Sequence, residues 1–122
     1  MVRGKHRSAQ EVLEDHLRLC REGRLEDDLA RNIAEDVVLL TGRGVYRGHD
    51  GVRRLARFLK QDFPDARYEY VTALVDGETA FLEWRAESSR ARVRDGADSF
   101  LIRNGKIVAQ TIHYTPEPKN DE

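Results

Sequence analysis

The stretch Gly96 to Tyr114, GADSFLIRNGKIVAQTIHY, constrains this chain most. Asn104-Gly105 suits a two-residue type I′ turn, because both central residues there need positive φ. The stretch therefore reads as two antiparallel strands. With a loop of just those two residues, Arg103 faces Lys106, Ile102 faces Ile107, Phe100 faces Ala109 and Asp98 faces Thr111. Cross-strand partners share a face of the sheet. One face then carries Asp98, Phe100, Ile102, Ile107, Ala109, Thr111 and His113. The other carries Ala97, Ser99, Leu101, Val108, Gln110, Ile112 and Tyr114. Both faces are largely apolar, so both are expected to be covered. The first sets a carboxylate and an imidazole as diagonal neighbours on an apolar floor.

The chain has 122 residues, enough for one domain with a single core. Its 21 basic and 22 acidic side chains nearly cancel, which argues against a nucleic-acid binder and a membrane-surface protein. No apolar run approaches the roughly 18 residues that span a bilayer. The basic N-terminal MVRGKHR has no apolar region behind it and is not a secretory signal. Cys20 is the single cysteine; it forms no internal disulfide and fits a reducing cytoplasm.

In chain order, residues 1–7 read as a basic arm. Ser8 and Glu11 have capping-box spacing and start a helix whose stripe is Leu13, Leu17 and Cys20, with Val12, His16 and Leu19 alongside. Gly23 suits its C-terminal end. A second helix spans about Leu25 to Asn32, followed by a short buried strand, Val37 to Leu40. A turn, a brief strand at Val45 to Arg47 and a third helix from about Asp50 to Asp62 come next. Pro64 ends that helix. Two strands flank Asp76-Gly77, with Val71, Ala73, Val75, Ala80, Leu82 and Trp84 on the core face. Tyr68, Tyr70, Thr72, Leu74, Phe81, Glu83 and Arg85 fall on the other. Residues 116–122 read as a frayed tail, which leaves one domain over 8–115. Helices segregated from a meander imply α+β: a curved antiparallel sheet covered by three N-terminal helices, enclosing a cone.

At this point the chain resembles the nuclear transport factor 2-like superfamily, in its SnoaL-like (polyketide cyclase and ketosteroid isomerase-like) group. The residues that carry the resemblance are REGRLEDDLARNIAEDVVL, VYRGHDGVRRLARFL and DSFLIRNGKIVAQTIHY. It spans roughly Ser8 to Thr115 and implies a cone-shaped fold with a pocket. This fold hosts isomerases, cyclases, hydrolases, dehydratases and proteins without chemistry, so function does not follow from it. The resemblance puts Asp98 at the place of a protonated oxyanion-hole Asp of ketosteroid isomerases. It puts His16 at the place of a first-helix tyrosine. The general-base position falls near Thr41, which cannot take a proton, and this tells against steroid-isomerase chemistry. His113 falls close to an acidic position used by the cyclases and by limonene-epoxide hydrolases. The hydrolase Arg and Asp would fall near Trp84 and Ala86, so that set is absent.

His113, Asp98 and then His16 are therefore the candidate catalytic residues. The plain alternatives are a hydrogen-bonded core histidine, a carboxylate paired with Arg90, Arg92 or Arg94, and an edge histidine. Trp84, Phe100, Val38, Leu40, Ala109, Thr41 and Tyr46 are candidate ligand-binding residues, with a core role as the alternative. Gly42, Gly44, Gly48 and Gly51 lack the Walker spacing, so no phosphate loop is expected. No metal is expected either, because His6, His16, His49 and His113 show no paired spacing and Cys20 is alone.

Two functions remain open. One is an enzyme without a cofactor that isomerises, cyclises or dehydrates a small apolar molecule. The other is a non-catalytic ligand-binding or protein-interaction domain. A homodimer is expected through the outer sheet face, where Tyr70, Phe81, Leu101, Val108, Ile112 and Tyr114 would otherwise be exposed.

Overall fold

The computed structural model describes residues 7–119. Helix α1 (Ala9–Glu22) begins at Ser8 with the expected capping box: Ser8 Oγ accepts from Glu11 N at 3.1 Å, and Glu11 Oε1 accepts from Ser8 N at 2.8 Å. It ends at Gly23, whose left-handed φ of 72° lets the next amides return to the Cys20 and Leu19 carbonyls. Helix α2 (Leu25–Asn32) runs directly into β1 (Ile33–Thr41). Then come β2 (Gly44–Arg47), α3 (Gly48–Asp62), β3 (Arg67–Asp76), β4 (Thr79–Glu87), β5 (Ala91–Arg103), β6 (Lys106–His113) and a two-residue β7 (Glu117–Pro118). The strand order is β2-β1-β6-β5-β4-β3, with β7 on β5.

This is the expected α+β cone: three helices and a curved, unclosed sheet. One detail differs. The sheet is mixed, because β1 runs parallel to β6, while every other pair is antiparallel. Helix α1 lies across the inner face of the sheet and buries Val12, Leu13, His16 and Leu19 there. At the other end of the chain, the frayed tail of the sequence reading is corrected up to Lys119. Pro118 pairs with Ala91, Glu117 with Arg92, and Lys119 N donates to the Arg90 carbonyl. Arg7 is also docked, on Asn32 Oδ1 (2.8 Å) and the Gly105 carbonyl (3.1 Å). The rest of the N-terminal arm, residues 1–6, lies outside the described residues.

Three bulges decide which side chains face the cone. The Asn104-Gly105 turn forms as expected, with φ of 55° and 78°, and Ile102 faces Ile107. One residue later an extra residue in β6, at Val108, shifts the pairing to Leu101 with Ala109, Phe100 with Gln110 and Asp98 with Ile112. A one-residue slip exchanges the two faces of a strand. The unbulged strand would have buried Ala109, Thr111 and His113. The bulged one turns Gln110, Ile112 and Tyr114 inward instead, which places larger side chains there and, at Ile112 and Tyr114, more apolar surface.

The same logic acts in β3. There the two-residue loop is Gly77-Glu78, one position later than expected, and an extra residue at Val71 shifts the pairing again. Strict alternation would have turned Glu69 inward. The bulge seats Tyr70 beside Trp84 and Tyr68 beside Ala86, and leaves Val71 exposed. A third bulge, at Arg94 and Asp95, separates the Trp84–Gly96 pair from Ala86–Val93.

Candidate functional site

Strands β4, β5 and β6 bring Trp84, Asp98 and Gln110 together on the inner face. Asp98 is 8% exposed. Trp84 Nε1 donates to its Oδ1 (2.9 Å) and Gln110 Nε2 donates to its Oδ2 (3.0 Å). Burial pushes this carboxyl up to about 6, against the opposing pull of those two donors and of the His16 charge. Asp98 is thus a carboxylic acid within reach of its neutral form near physiological pH. Around it, Trp84 is 5.7 Å from Tyr68 and 5.8 Å from Tyr114, ring centre to ring centre.

Helix α1 contributes His16 from above. Its ring sits edge-on to Phe100 (5.7 Å), and its Nδ1 is 2.8 Å from Asp28 Oδ2. Asp28 is buried on α2, and its other oxygen accepts from Asn32 Nδ2 at 2.9 Å. Burial by itself would lower the imidazole pKa. The neighbouring Cys20 sulfur and the hydrogen bond to Asp28 outweigh it and raise the pKa well above the usual value. Cys20 follows His16 by one helical turn. Its Sγ lies 3.8 Å from Nδ1, 3.7 Å from Nε2 and 3.8 Å from Asp28 Oδ2. This cluster escaped the sequence reading. Histidine and cysteine four apart on one helix was the available signal; Asp28, from another helix, gave none.

Of the candidate catalytic residues, Asp98 and His16 face the interior and His113 does not. Its side chain is 70% exposed on the outer face, opposite Ala97, with Nε2 3.6 Å from Asp95 Oδ2. Asp95 in turn accepts from Thr115 N (2.8 Å) and Oγ1 (2.7 Å). The expected Asp98–His113 approach is therefore corrected, and the cause is the Val108 bulge. His113→Ala is expected to change stability by less than about 0.5 kcal/mol in chemical denaturation, as at other exposed positions.

Among the candidate ligand-binding residues, Trp84 and Phe100 are buried inside the cone. Val38, Leu40 and Ala109 are corrected to the outer face, where they pair with Arg47, with Val45 and Thr111, and with Leu101. The inward residues of β1 are Val37 and Leu39 instead. Thr41 is tied into its turn: Oγ1 donates to the Gly44 carbonyl (3.1 Å) and accepts from Arg43 N (3.0 Å). Tyr46 is buried against Phe58, with the Arg54 guanidinium 5.2 Å from its ring centre. The cavity expected between Trp84, Phe100, Ala109 and Val38 or Leu40 is corrected: Val38, Leu40 and Ala109 face outward, and the rings of Trp84, Phe100, Tyr68 and Tyr114 pack inside the cone. Two concavities lie outside it. One, of about 550 Å³, is bordered by Leu29, Ile33, His49, Arg53 and Lys106. The other, of about 410 Å³, adjoins it at Glu35 and His49.

A family profile described as SnoaL-like domain matches residues 13–110. No curated protein matches the sequence. Among solved structures, an NTF2-like protein of unknown function from Burkholderia pseudomallei is 18% identical. The match covers 88% of this chain and 90% of that one, with a TM-score of 0.75. A candidate ketosteroid isomerase from Kribbella flavida is 16% identical over 93% of this chain and 82% of that one, with a TM-score of 0.74. A candidate SnoaL-like polyketide cyclase from Mesorhizobium loti is 16% identical over 88% and 100%, with a TM-score of 0.66. At these identities the likeness is one of fold.

Proposed function

We propose, since this chain belongs to the SnoaL-like domain family, that it binds a small apolar molecule in the cone and meets the molecule's polar atom with Asp98. One observation carries this reading: a carboxyl group is buried on an aromatic floor, and Trp84 and Gln110 hold it in place. Such an acid can donate a hydrogen bond or a proton to an oxygen that gains negative charge. That step is shared by isomerisation, cyclisation and dehydration. No carboxylate stands at Thr41 to abstract a proton, and the Thr41 hydroxyl is already engaged. Donation by Asp98, without a paired base, is the chemistry the site supports. The non-catalytic binding domain is the same reading with donation reduced to a held hydrogen bond.

Binding in the cone requires α1 and the edge strand β3 to part. There the Tyr70 hydroxyl donates to the Leu17 carbonyl at 3.3 Å, and Arg21 covers the Tyr70 ring at 4.5 Å. Trp84 is the single tryptophan and touches Asp98, so its fluorescence reports on the site. A panel of small apolar carbonyl compounds is expected to include one that shifts Trp84 emission and raises Tm, with binding at least about tenfold weaker in Asp98→Ala. A panel with no effect on emission or Tm, and no small molecule retained in native mass spectrometry, sinks the proposal.

A second copy of the chain is the proposed partner, through the outer sheet face, and a reducing cytoplasm the proposed setting. The face differs from the expected one, because Tyr70, Ile112 and Tyr114 turn inward. A row across strands β2, β1, β6, β5, β4 and β3 runs Val45, Leu40, Thr111, Ser99, Phe81, Leu74, and its four apolar members are exposed. Association through this row is expected to fail in Leu40→Glu and Phe81→Glu. Sedimentation of the wild type as a monomer at micromolar concentration counts against it. Among the described residues, no helix is long and apolar enough to cross a membrane.

A further inference from the structure

The geometry points to a metal site: His16, Cys20 and Asp28 together bind a borderline-soft divalent cation, with Zn²⁺ the fitting case and one coordination position open to solvent. The three donors come from adjacent turns of α1 and from α2, and their ligand atoms all lie within 4.8 Å of one another. Nδ1 of His16, Oδ2 of Asp28 and Sγ of Cys20 form a triangle with sides of 2.8, 3.8 and 3.8 Å. The point equidistant from all three lies about 2.0 Å from each, which is the Zn–N and Zn–O bond length, and a shift toward the nitrogen–oxygen edge together with a lift out of the plane reaches the longer Zn–S bond. The ion takes the place of the His16–Asp28 hydrogen bond, and the imidazole turns by roughly 45° from Oδ2 to direct its lone pair to the ion.

The surroundings fit the assignment. Asn32 Nδ2 holds Oδ1 of Asp28, which fixes the carboxylate with Oδ2 aimed at the other two donors. Ligands held by such outer hydrogen bonds are the ones that bind well. Nitrogen, thiolate sulfur and one carboxylate oxygen select Zn²⁺, Co²⁺ or Cu²⁺ over Mg²⁺ and Ca²⁺, which want oxygen alone. Cys20 is exposed while His16 and Asp28 are buried, so the ion has an entry route from one side only. Three protein ligands and an open fourth position is the arrangement of an exchangeable rather than a closed structural zinc. The site shares no ligand with Asp98, Trp84 or Gln110, so it stands or falls apart from the proposed ligand binding.

The full-length chain, stripped by chelation, is titrated with Co²⁺ as the spectroscopic probe and then with Zn²⁺. A thiolate-to-cobalt charge-transfer band that saturates at one equivalent and is displaced by Zn²⁺ is expected. Millimolar Mg²⁺ or Ca²⁺ should leave it unchanged. Cys20→Ser, at an exposed position, should abolish the band and weaken Zn²⁺ binding by at least about 100-fold, a larger loss than outer-shell changes cause. His113→Gln should bind as the wild type does. Zn²⁺ should also move the His16 ring resonances in the wild type, a readout that depends on no variant. The absence of the band, equal Zn²⁺ affinity in Cys20→Ser, or unmoved His16 resonances would each overturn the site.

Discussion

Asp98→Asn is expected to make the protein more stable than the wild type at pH 8 and no more stable at pH 4. The folded carboxyl titrates at about 6, against an ordinary value of 3.8. Below pH 4 both the folded and unfolded chains hold the proton, and Asp98 makes no difference. As pH rises from about 4 to 6, the unfolded chain releases its proton while the folded chain retains it. Stability therefore falls with rising pH across that window, and the loss is complete above pH 6. Two units of pKa correspond to about 3 kcal/mol. Asparagine has the same shape and no charge to bury. Trp84 can still donate to its Oδ1, and Gln110 can flip its amide to accept from its Nδ2.

His16 on α1 lowers the Asp98 pKa, and the tyrosines Tyr68 and Tyr70 on β3 are neutral throughout. Elsewhere in the protein, Asp15, Glu22, Glu26, Glu87 and Asp95 have lowered pKa values, and their contribution to stability grows as pH rises, opposite to that of Asp98. They are common to both proteins and cancel in the difference. Chemical denaturation of both proteins from pH 4 to 8 measures it. A difference that stays flat with pH would show that Asp98 does not bury a charge.

Local signals in the sequence located the elements because each acts over a few residues. Ser8 with Glu11, Gly23 and Asn104-Gly105 all act within one or two turns and form where expected, whereas the buried stripe of α1 is Val12, Leu13, His16 and Leu19, with Cys20 exposed. The faces of the long strands were less legible. A strand's alternation is simple to read only while no residue is inserted, and β3, β5 and β6 each contain an insertion. The conflict was visible at Glu69, which strict alternation from Val71 drives into the core beside Trp84. In β6 no comparable conflict existed, since both faces looked apolar. Only the packing of Tyr114 against Phe63 and Trp84 decides between His113 and Tyr114. That is why Asp98, on a strand with no insertion between it and the Asn104-Gly105 turn, was placed on the correct face while its expected partner, beyond the insertion in β6, was not. The His16–Cys20–Asp28 cluster depends on how α2 docks on α1, a tertiary fact with no local signal at Asp28.

Gly96→Ala is expected to cost about 3 kcal/mol or more and to alter the emission of the single tryptophan. Backbone strain is not the reason, because Gly96 is not among the residues with positive φ. The reason is space. A Cβ at position 96 would overlap the Trp84 ring carbons Cδ2 and Cε2 and sit 2.8 Å from Cγ. Trp84 is the cross-strand partner of Gly96, and its indole lies flat over that bare backbone. The ring has no easy retreat. Tyr68 and Tyr114 pack against it, and Nε1 is committed to Asp98 at 2.9 Å. Any displacement of the indole breaks that bond and leaves a buried carboxyl short of a donor, a loss of about 1–3 kcal/mol added to the cost of overpacking. The Asp98 site therefore rests on a glycine that makes no hydrogen bond to it. A Trp84→Leu background separates the clash from any other effect of the substitution. With the ring gone, Gly96→Ala should cost under about 1 kcal/mol, so that the two positions show a coupling of about 2 kcal/mol. Equal costs in both backgrounds, or unchanged Trp84 emission in the single variant, would mean that the close approach of indole to backbone does not hold Asp98 in place.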